Sequence, residues 1–338
     1  MKILVTGGLG FIGSHTVVEL QQKGYEVVVI DNLSNSTLSV LDGIENITGT
    51  RPFFEQLELR DKSAVFSFFQ MHQDIIGVIH FAASKAVGES VENPLLYYEN
   101  NINTLVYVLQ ALEKYQISNF IFSSSCTVYG QADEMPITEN APVKKAESPY
   151  GNTKQVGEEI IQDTCKISKQ LKAIALRYFN PIGAHPTVEL GELPIGVPQN
   201  LVPYITQTGI GIRKELSVFG DDYPTIDGTC VRDYVHVVDL AKAHVVAIER
   251  LIKNNNAANY ETYNIGTGKG STVLEVIQSF ERISNTSLNY SFAPRRAGDI
   301  IEAYADTQKV TSNLGWKAES TLDDAMLSAW NWENKIKK

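Results

Sequence analysis

Cysteine is scarce in this chain: 338 residues carry three, Cys126, Cys165 and Cys230. Their spacing suits neither a zinc knuckle nor a Cys-x-x-Cys redox pair, and three cannot all pair with one another. A disulfide-stapled fold is excluded, and a reducing, cytoplasmic compartment is expected. The six histidines, His15, His72, His80, His185, His236 and His244, show no close metal-ligand spacing, so no metal is expected. No apolar run is long enough to span a bilayer. With the first glycine cluster so near the first residue, no signal peptide is expected. Positive charge is in deficit as well. Lys and Arg total 29 against 39 Asp and Glu, a formal net charge of −10, which argues against a nucleic-acid or anionic-membrane surface. An anionic ligand would have to be met by local cations and helix N-termini. Internal repeats and low-complexity tracts are also absent.

What is present is an ordinary globular make-up, 43% apolar and 20% charged, long enough for about two domains and a substantial core. Residues Val5 to Gly13 read Val-Thr-Gly-Gly-Leu-Gly-Phe-Ile-Gly, directly after Ile3 and Leu4. The apolar run suits a buried parallel strand, and a helix is expected from about Phe11 to Lys23. Gly7, Gly10 and Gly13 then serve a tight turn, a close approach of backbone to a pyrophosphate and close helix–strand packing. The helix N-terminus offers N–H groups and partial positive charge to phosphates. The pattern marks a dinucleotide site.

The next strand, Glu26 to Ile30, ends at Asp31. A carboxylate there accepts hydrogen bonds from adenine-ribose hydroxyls and repels a 2′-phosphate. No Lys or Arg occurs from Asn32 through Thr50 to neutralise that phosphate. NAD is expected rather than NADP.

Strand-like runs at Val78–Phe81, Phe120–Phe122 and Ile174–Leu176 alternate with helical patterns, which predicts an α/β fold with a doubly wound parallel sheet. After Asn180 the chain turns rich in Pro and Gly, with one evident helix at about 201–208. A βα-like return follows at 234–251 and 263–265. The expected division is a Rossmann-like cofactor domain, 1–180 plus about 234–266, and a smaller substrate domain, about 181–233 plus 267–338.

Proton chemistry is written in Tyr150-Gly-Asn-Thr-Lys154. Ser148 is placed to cap a helix and Pro149 to open it, so Tyr150 and Lys154 become i, i+4 neighbours. Free tyrosine has a pKa of about 10. Lowering it to about 7 takes roughly 4 kcal/mol, about what one ammonium at 4 Å provides at an effective dielectric of 20. Lys154, with the positive nicotinamide of oxidised NAD adding to its effect, is expected to make Tyr150 a usable base, with Ser125, at the end of the Phe120–Ser123 strand and its serine run, sharing the substrate proton.

The chain resembles the extended short-chain dehydrogenases/reductases, and within them the UDP-glucose (UDP-galactose) 4-epimerases. The segments that carry the resemblance cover nearly the whole chain. They include Thr6–His15, Asp31–Ser36, His80–Ser90, Phe122–Gly130, Arg177–Pro181, Asp221–Thr225, Val231–His236 and Arg295–Asp299. The resemblance implies a tightly held NAD, reduced and reoxidised within each turnover, and a UDP-sugar passing through a 4-keto form. It implies Tyr150, Ser125 and Lys154 as the catalytic residues. Contacts to NAD are implied for the glycines, Phe11, Ile12, Asp31, Asn32, Asn35, Ser36, Glu58, Leu59, Phe81, Ala82, Lys85, Asn100, Ser125, Tyr150, Lys154 and Phe179. Contacts to the nucleotide sugar are implied for Ser125, Tyr150, Asn180, Asn200, Leu201, Ser217, Val218, Phe219, Arg232, Arg296, Asp299 and Ala303. Arg232 and Arg296 are also cations able to fork onto a diphosphate.

Three positions depart from the family pattern: Ser84 where an apolar residue is usual, Glu58 for the usual Asp beneath the adenine, and Ala303 where many members carry Tyr or Cys. The last implies room for N-acetylated UDP-hexoses. Two other readings are a nucleotide-sugar 4,6-dehydratase and a non-catalytic NAD-dependent sensor. The first lacks its Asp-Glu pair after Ser125, and the second has no need of Tyr150, Lys154 and Ser125. A homodimer is expected by analogy, through helices at about 94–114 and 150–166.

Overall fold

Short β-branched runs separated by glycine turns and amphipathic segments form an alternating strand–helix series. In the computed structural model, which describes residues 1–296 and 299–337, that series begins with β1 (Lys2–Thr6), α1 (Phe11–Gln22), β2 (Glu26–Asp31), α2 (Ser39–Thr48), β3 (Phe53–Gln56) and α3 (Lys62–Met71). It continues with β4 (Ile75–His80), α4 (Val87–Glu92), α5 (Pro94–Tyr115), β5 (Asn119–Ser125), α6 (Pro149–Ile167) and β6 (Lys172–Tyr178). The chain divides into two compact units. The first comprises Met1–Gly130, Pro142–Arg177 and Ala241–Tyr263; the second comprises Gln131–Ala141, Tyr178–Leu240 and Asn264–Lys338.

The first unit is built on a seven-stranded sheet in the order β3-β2-β1-β4-β5-β6-β11, where β11 is Tyr260–Ile265. Pairing from β3 to β5 is parallel. The direction of winding reverses between β1 and β4, so a crevice for a ligand opens at the carboxyl ends of these strands. Both faces of such a sheet must be covered, and the strands are accordingly apolar throughout: Ile3, Leu4, Val5, Val78, Ile79, Phe120 and Ile121 are fully or almost fully buried. One core cluster joins Phe68 and Phe69 of α3, Leu105, Val108 and Leu109 of α5, Phe120 and Phe122 of β5 and Ile161 of α6. It fixes α5 and α6 against the strand that ends at Ser125.

The second unit contains short strands rather than one large sheet. They are β7 (Asn180–Ile182), β8 (Leu216–Phe219), β9 (Val231–Arg232), β10 (Tyr234–His236), β12 (Ser271–Thr272), β13 (Tyr290–Ala293) and β14 (Glu302–Ala303). β7 pairs with β10, β8 with β13, and β9 lies between β12 and β14. Helices α7 (Leu201–Gly209), α9 (Val273–Ser284) and α11 (Leu322–Ile336) pack around Ile205, Val218, Val276, Phe280 and Met326. α8 (Val237–Ile252) and α10 (Gln308–Leu314) complete the helices among the described residues. Capping boxes at Thr272/Glu275 and Thr321/Asp324 fix the starts of α9 and α11.

Candidate active site

Gly7 adopts φ +68°, and a Cβ there would lie 2.8 Å from the backbone nitrogen of Ala82; at Gly13 it would lie 2.3 Å from the Gly7 carbonyl oxygen. Only glycine fits either place. Gly10 stands at the N-cap of α1 without a side-chain cap, and the first turn carries no acidic residue. The N–H groups around Phe11, Ile12 and Gly13 therefore retain the positive end of the helix for an anion. Asp31 closes β2 beside this turn. It accepts from the Leu9 N–H (3.1 Å), the Leu33 N–H (2.9 Å) and the Ser36 hydroxyl (2.8 Å). Glu58 is turned to Arg60 and to the amide of Asn32, and the Arg60 guanidinium brings its carboxyl down to about 2. Arg51 bridges Asp42 and Glu45. Arg60, the arginine that follows β3 toward the adenine end of such a site, is thus committed to a carboxylate, whereas Arg51 precedes β3 at the opposite end of the strand. Asn35 and Leu59 lie on the two segments that follow β2 and β3.

The serine run ends β5, and Ser125 bends the chain into a 3₁₀ turn at Cys126–Tyr129, its hydroxyl accepting from the Thr127 N–H (3.2 Å). Ser148 accepts from the Gly151 N–H and caps α6, with Pro149 in the first turn, so Tyr150 and Lys154 share one face. Tyr150 keeps part of its surface open, and its hydroxyl hydrogen-bonds Ser125. Lys154 is 3% exposed. Its ammonium donates to the Ser123 carbonyl oxygen (2.7 Å) and lies 5.0 Å from the Phe122 ring centre and 5.8 Å from that of Tyr150.

In the chain by itself the Tyr150 phenol does not lie below its ordinary range. Burial pushes Tyr150 up to about 12, with the Ser125 hydrogen bond opposing. Burial also brings Lys154 down to about 8, with Glu158 opposing. Two groups desolvated together each shift toward neutrality, and the amine is engaged by a carbonyl rather than by the phenol.

The segment after β4 completes this part of the site. Phe81 continues the β4 pairing through its N–H to the Thr6 carbonyl oxygen (2.9 Å), and its ring lies 4.6 Å from that of His244. Ala82 packs against Gly7. Lys85 is exposed. Asn100, on α5, donates to the Ser84 hydroxyl (3.0 Å).

Within the second unit, Arg232, Arg296, Asp299 and Phe219 come together. Asp299 lies 3.7 Å from Arg232 and 3.0 Å from Arg296, whose guanidinium carbon lies 4.7 Å from the Phe219 ring centre. Ala303 is the register partner of Arg232 and is buried. Ser217 and Val218 precede Phe219 on β8, Ser217 exposed and Val218 buried. The Phe179 N–H donates to Ile265, and the Asn180 N–H to the Asp233 carbonyl oxygen. Asn200 and Leu201 open α7, and the Asn200 amide nitrogen donates to Glu192 (2.6 Å). Ala297 and Gly298 of the Arg-Arg-x-Gly-Asp segment lie outside the described residues.

Sequence reasoning passed over two buried carboxylates. Glu158 lies one turn beyond Lys154 on α6. It accepts from Arg177, from the Ser124 hydroxyl and from the Tyr260 hydroxyl. Its i, i+4 spacing from Lys154 was the available signal. Asp233, next to Arg232, accepts from the Thr267 N–H and hydroxyl, the Gly268 N–H and the Ala305 N–H. Its partners are distant in sequence and left no local trace.

Among the described residues no group of three or more His, Cys, Asp or Glu is placed to hold a metal ion, and no helix is long and apolar enough to cross a membrane.

A Rossmann-type sheet with a glycine cradle, together with a serine–tyrosine–lysine constellation at the end of β5, defines a nucleotide-cofactor protein equipped to move a proton at a hydroxyl. The family model for the NAD dependent epimerase/dehydratase family matches residues 3–266, and the chain belongs to that family. It is 48% identical over 334 residues to the UDP-glucose 4-epimerase of Bacillus subtilis, covering 99% of this chain and 97% of that protein. The crystal structure of UDP-glucose 4-epimerase from Bifidobacterium longum in complex with NAD+ and UDP matches with a TM-score of 0.95. Identity is 45%, over 100% of this chain and 99% of that one. The enzyme from Stenotrophomonas maltophila with bound NAD and formylated UDP-arabinopyranose matches with a TM-score of 0.96 and 45% identity, over the same shares.

Proposed function

We propose that this protein is an isomerase that interconverts UDP-hexoses differing at carbon 4, UDP-glucose and UDP-galactose first among them, through a transient 4-keto sugar. One observation carries the reading: the Ser125, Tyr150 and Lys154 constellation stands in a chain alike over its full length to UDP-glucose 4-epimerases. The first unit holds NAD. Its glycine cradle, the uncapped N-terminus of α1 and Asp31, with Arg60 already paired to Glu58, all suit a dinucleotide lacking a 2′-phosphate. When bound, NAD supplies a hydride acceptor that can return the hydride, and in its oxidised form a positive charge.

This chain's residues handle the proton. Tyr150 takes it from the sugar 4-hydroxyl and gives it back, and Ser125, already bonded to Tyr150, shares it. Lys154, buried and fixed to Ser123, adds positive charge to the Tyr150 face of α6. In the second unit Arg232 and Arg296 take the diphosphate, with Asp299 holding the two guanidinium groups in place of the ligand until it arrives. Ala303 leaves space at the hexose end, so UDP-GlcNAc and UDP-GalNAc are substrates as well. The protein works in the cytoplasm, a placement supported by three cysteines of which none is in a disulfide. It works as a homodimer: Leu95 on α5 and Ile167 on α6 are 80% and 86% exposed, apolar surface that a second copy would cover.

The test is to incubate purified protein with UDP-galactose and no added cofactor. UDP-glucose should form, NAD should be recovered from the denatured protein, and no net NADH should appear in the medium. Stoichiometric NADH with a stable oxidised sugar would make it a dehydrogenase, and loss of water from the sugar would make it a dehydratase. Light scattering of the same sample reads the dimer.

A further inference from the structure

Ser84 makes polar contacts that an apolar residue at this position could not. Its hydroxyl accepts from the Asn100 amide nitrogen (3.0 Å). Its backbone is gripped at both ends by the side chain of Asn101: the Ser84 N–H donates to Asn101 Oδ1 (2.8 Å), and Asn101 Nδ2 donates to the Ser84 carbonyl oxygen (3.0 Å). The second Asn101 amide hydrogen goes to Thr153 Oγ1 (3.0 Å), and the Thr153 hydroxyl donates to the Tyr150 carbonyl oxygen (2.7 Å). Asn101 and Thr153 are 7% and 2% exposed. This pattern fixes the Asn101 amide in one orientation, because a flip would set N–H against N–H and oxygen against oxygen. Asn100 Nδ2 is then shared between the Ser84 hydroxyl and, at 3.4 Å, Asn101 Oδ1. Both acceptors draw on the nitrogen end of the Asn100 amide, so the oxygen is the end it has left to offer.

On the NAD-binding reading above, we infer that Ser84 is a positioning residue for the cofactor. It holds Asn100 so that its Oδ1 accepts a hydrogen bond from a donor of the dinucleotide, a ribose hydroxyl or the carboxamide N–H. An apolar residue at position 84 leaves that amide held only by the longer 3.4 Å contact to Asn101 Oδ1, so the tightness of NAD in this chain depends on a hydroxyl at that place.

The test is the rate at which the purified holoenzyme releases NAD into a large volume of nucleotide-free buffer. Ser84→Ala should release it about three- to tenfold faster, the span of one neutral hydrogen bond. Ser84→Thr should restore the slow rate. Combined with Asn100→Ala, Ser84→Ala should add nothing beyond Asn100→Ala alone. A Ser84→Ala rate within twofold of wild type overturns the inference. So does an effect that persists undiminished in the Asn100→Ala background, because Ser84 would then act on the fold rather than through Asn100. A wild-type protein that neither carries nor takes up NAD overturns the cofactor reading and this inference with it.

Discussion

Replacing Glu158 by Gln keeps the shape of α6 and removes one buried charge beneath the site. The carboxylate receives Arg177 through Nε at 2.9 and 3.2 Å and through Nη2 at 2.5 Å, the Ser124 hydroxyl at 2.5 Å and the Tyr260 hydroxyl at 3.2 Å. Glu158 and Arg177 are 7% and 6% exposed. Burial alone would lower the Arg177 pKa, yet hydrogen bonds and charge from Glu158 hold it raised, and without that partner a guanidinium is still too basic to lose its proton in a protein. Glu158→Gln therefore strands a buried cation, at a cost of about 3–5 kcal/mol, a large part of a total that lies at roughly 5–15 kcal/mol. Urea unfolding of cofactor-free protein should show that loss as a fall in midpoint. Glu158→Leu combined with Arg177→Met, which removes both charges, should recover most of it. Lys154 should respond as well. Glu158 opposes the effect of burial on its amine, so in Glu158→Gln the amine should titrate below about 8. A loss under about 1 kcal/mol in Glu158→Gln, or a double variant no better than the single one, would refute this account of the cluster.

Tyr150→Phe should retain NAD and lose at least about a hundredfold in turnover, the lower end for a general acid/base; near-wild-type turnover would remove Tyr150 from the mechanism. In cofactor-stripped protein, the difference absorbance between wild type and Tyr150→Phe should reveal a phenol ionising only near pH 12, and ionisation near pH 7 would contradict the burial seen here. His80 is 3% exposed and burial holds its pKa at about 3. Between pH 6.5 and 3 the unfolded chain binds a proton there that the folded chain refuses, so stability falls as the pH falls. The slope from this group is about 1.4 kcal/mol per pH unit, and His80→Asn should flatten the acid limb of a pH–stability curve; an unchanged limb would assign it elsewhere. Ala303→Tyr should abolish turnover of UDP-GlcNAc and UDP-GalNAc and largely spare the plain hexoses. Equal loss of both pairs, or a wild type inert toward UDP-GlcNAc, would end that reading of Ala303.

The parts of this molecule that could be read from sequence are those governed by short-range rules. The helix expected from about Phe11 to Lys23 is α1, Phe11–Gln22, because a glycine turn directly before it leaves little choice of start. Ser148 and Pro149 open α6 as expected, since N-cap and first-turn preferences act within four residues. The doubly wound parallel sheet follows from apolar runs that alternate with helical patterns. What stayed hidden depends on pairs far apart in the chain. Nothing near Asp233 announces that Thr267, Gly268 and Ala305 will close around it. Nothing near Gln131–Ala141 says that it belongs with the second unit, where Ile137 bonds to Tyr304 and Asp306.

The ionisation of Tyr150 in the chain alone was not legible in the sequence for a related reason. Spacing on a helix gives the identity of a neighbour, and Coulomb's law with an assumed dielectric then gives a favourable number. It does not give how much water the fold removes, or which acceptor the neighbour finds first. Here the Ser123 carbonyl, brought alongside by β5, engages the Lys154 amine, and the shared burial raises the phenol while lowering the amine. A phenol at about 12 beside an amine at about 8 is in the wrong state to abstract a proton at neutral pH. The chain alone is thus an incomplete base, and a further positive charge is what the pair lacks. An oxidised dinucleotide in the glycine cradle would meet that need. An enzyme built this way gains from keeping its cofactor between turnovers, because the same bound group would both accept the hydride and supply the charge that Tyr150 lacks.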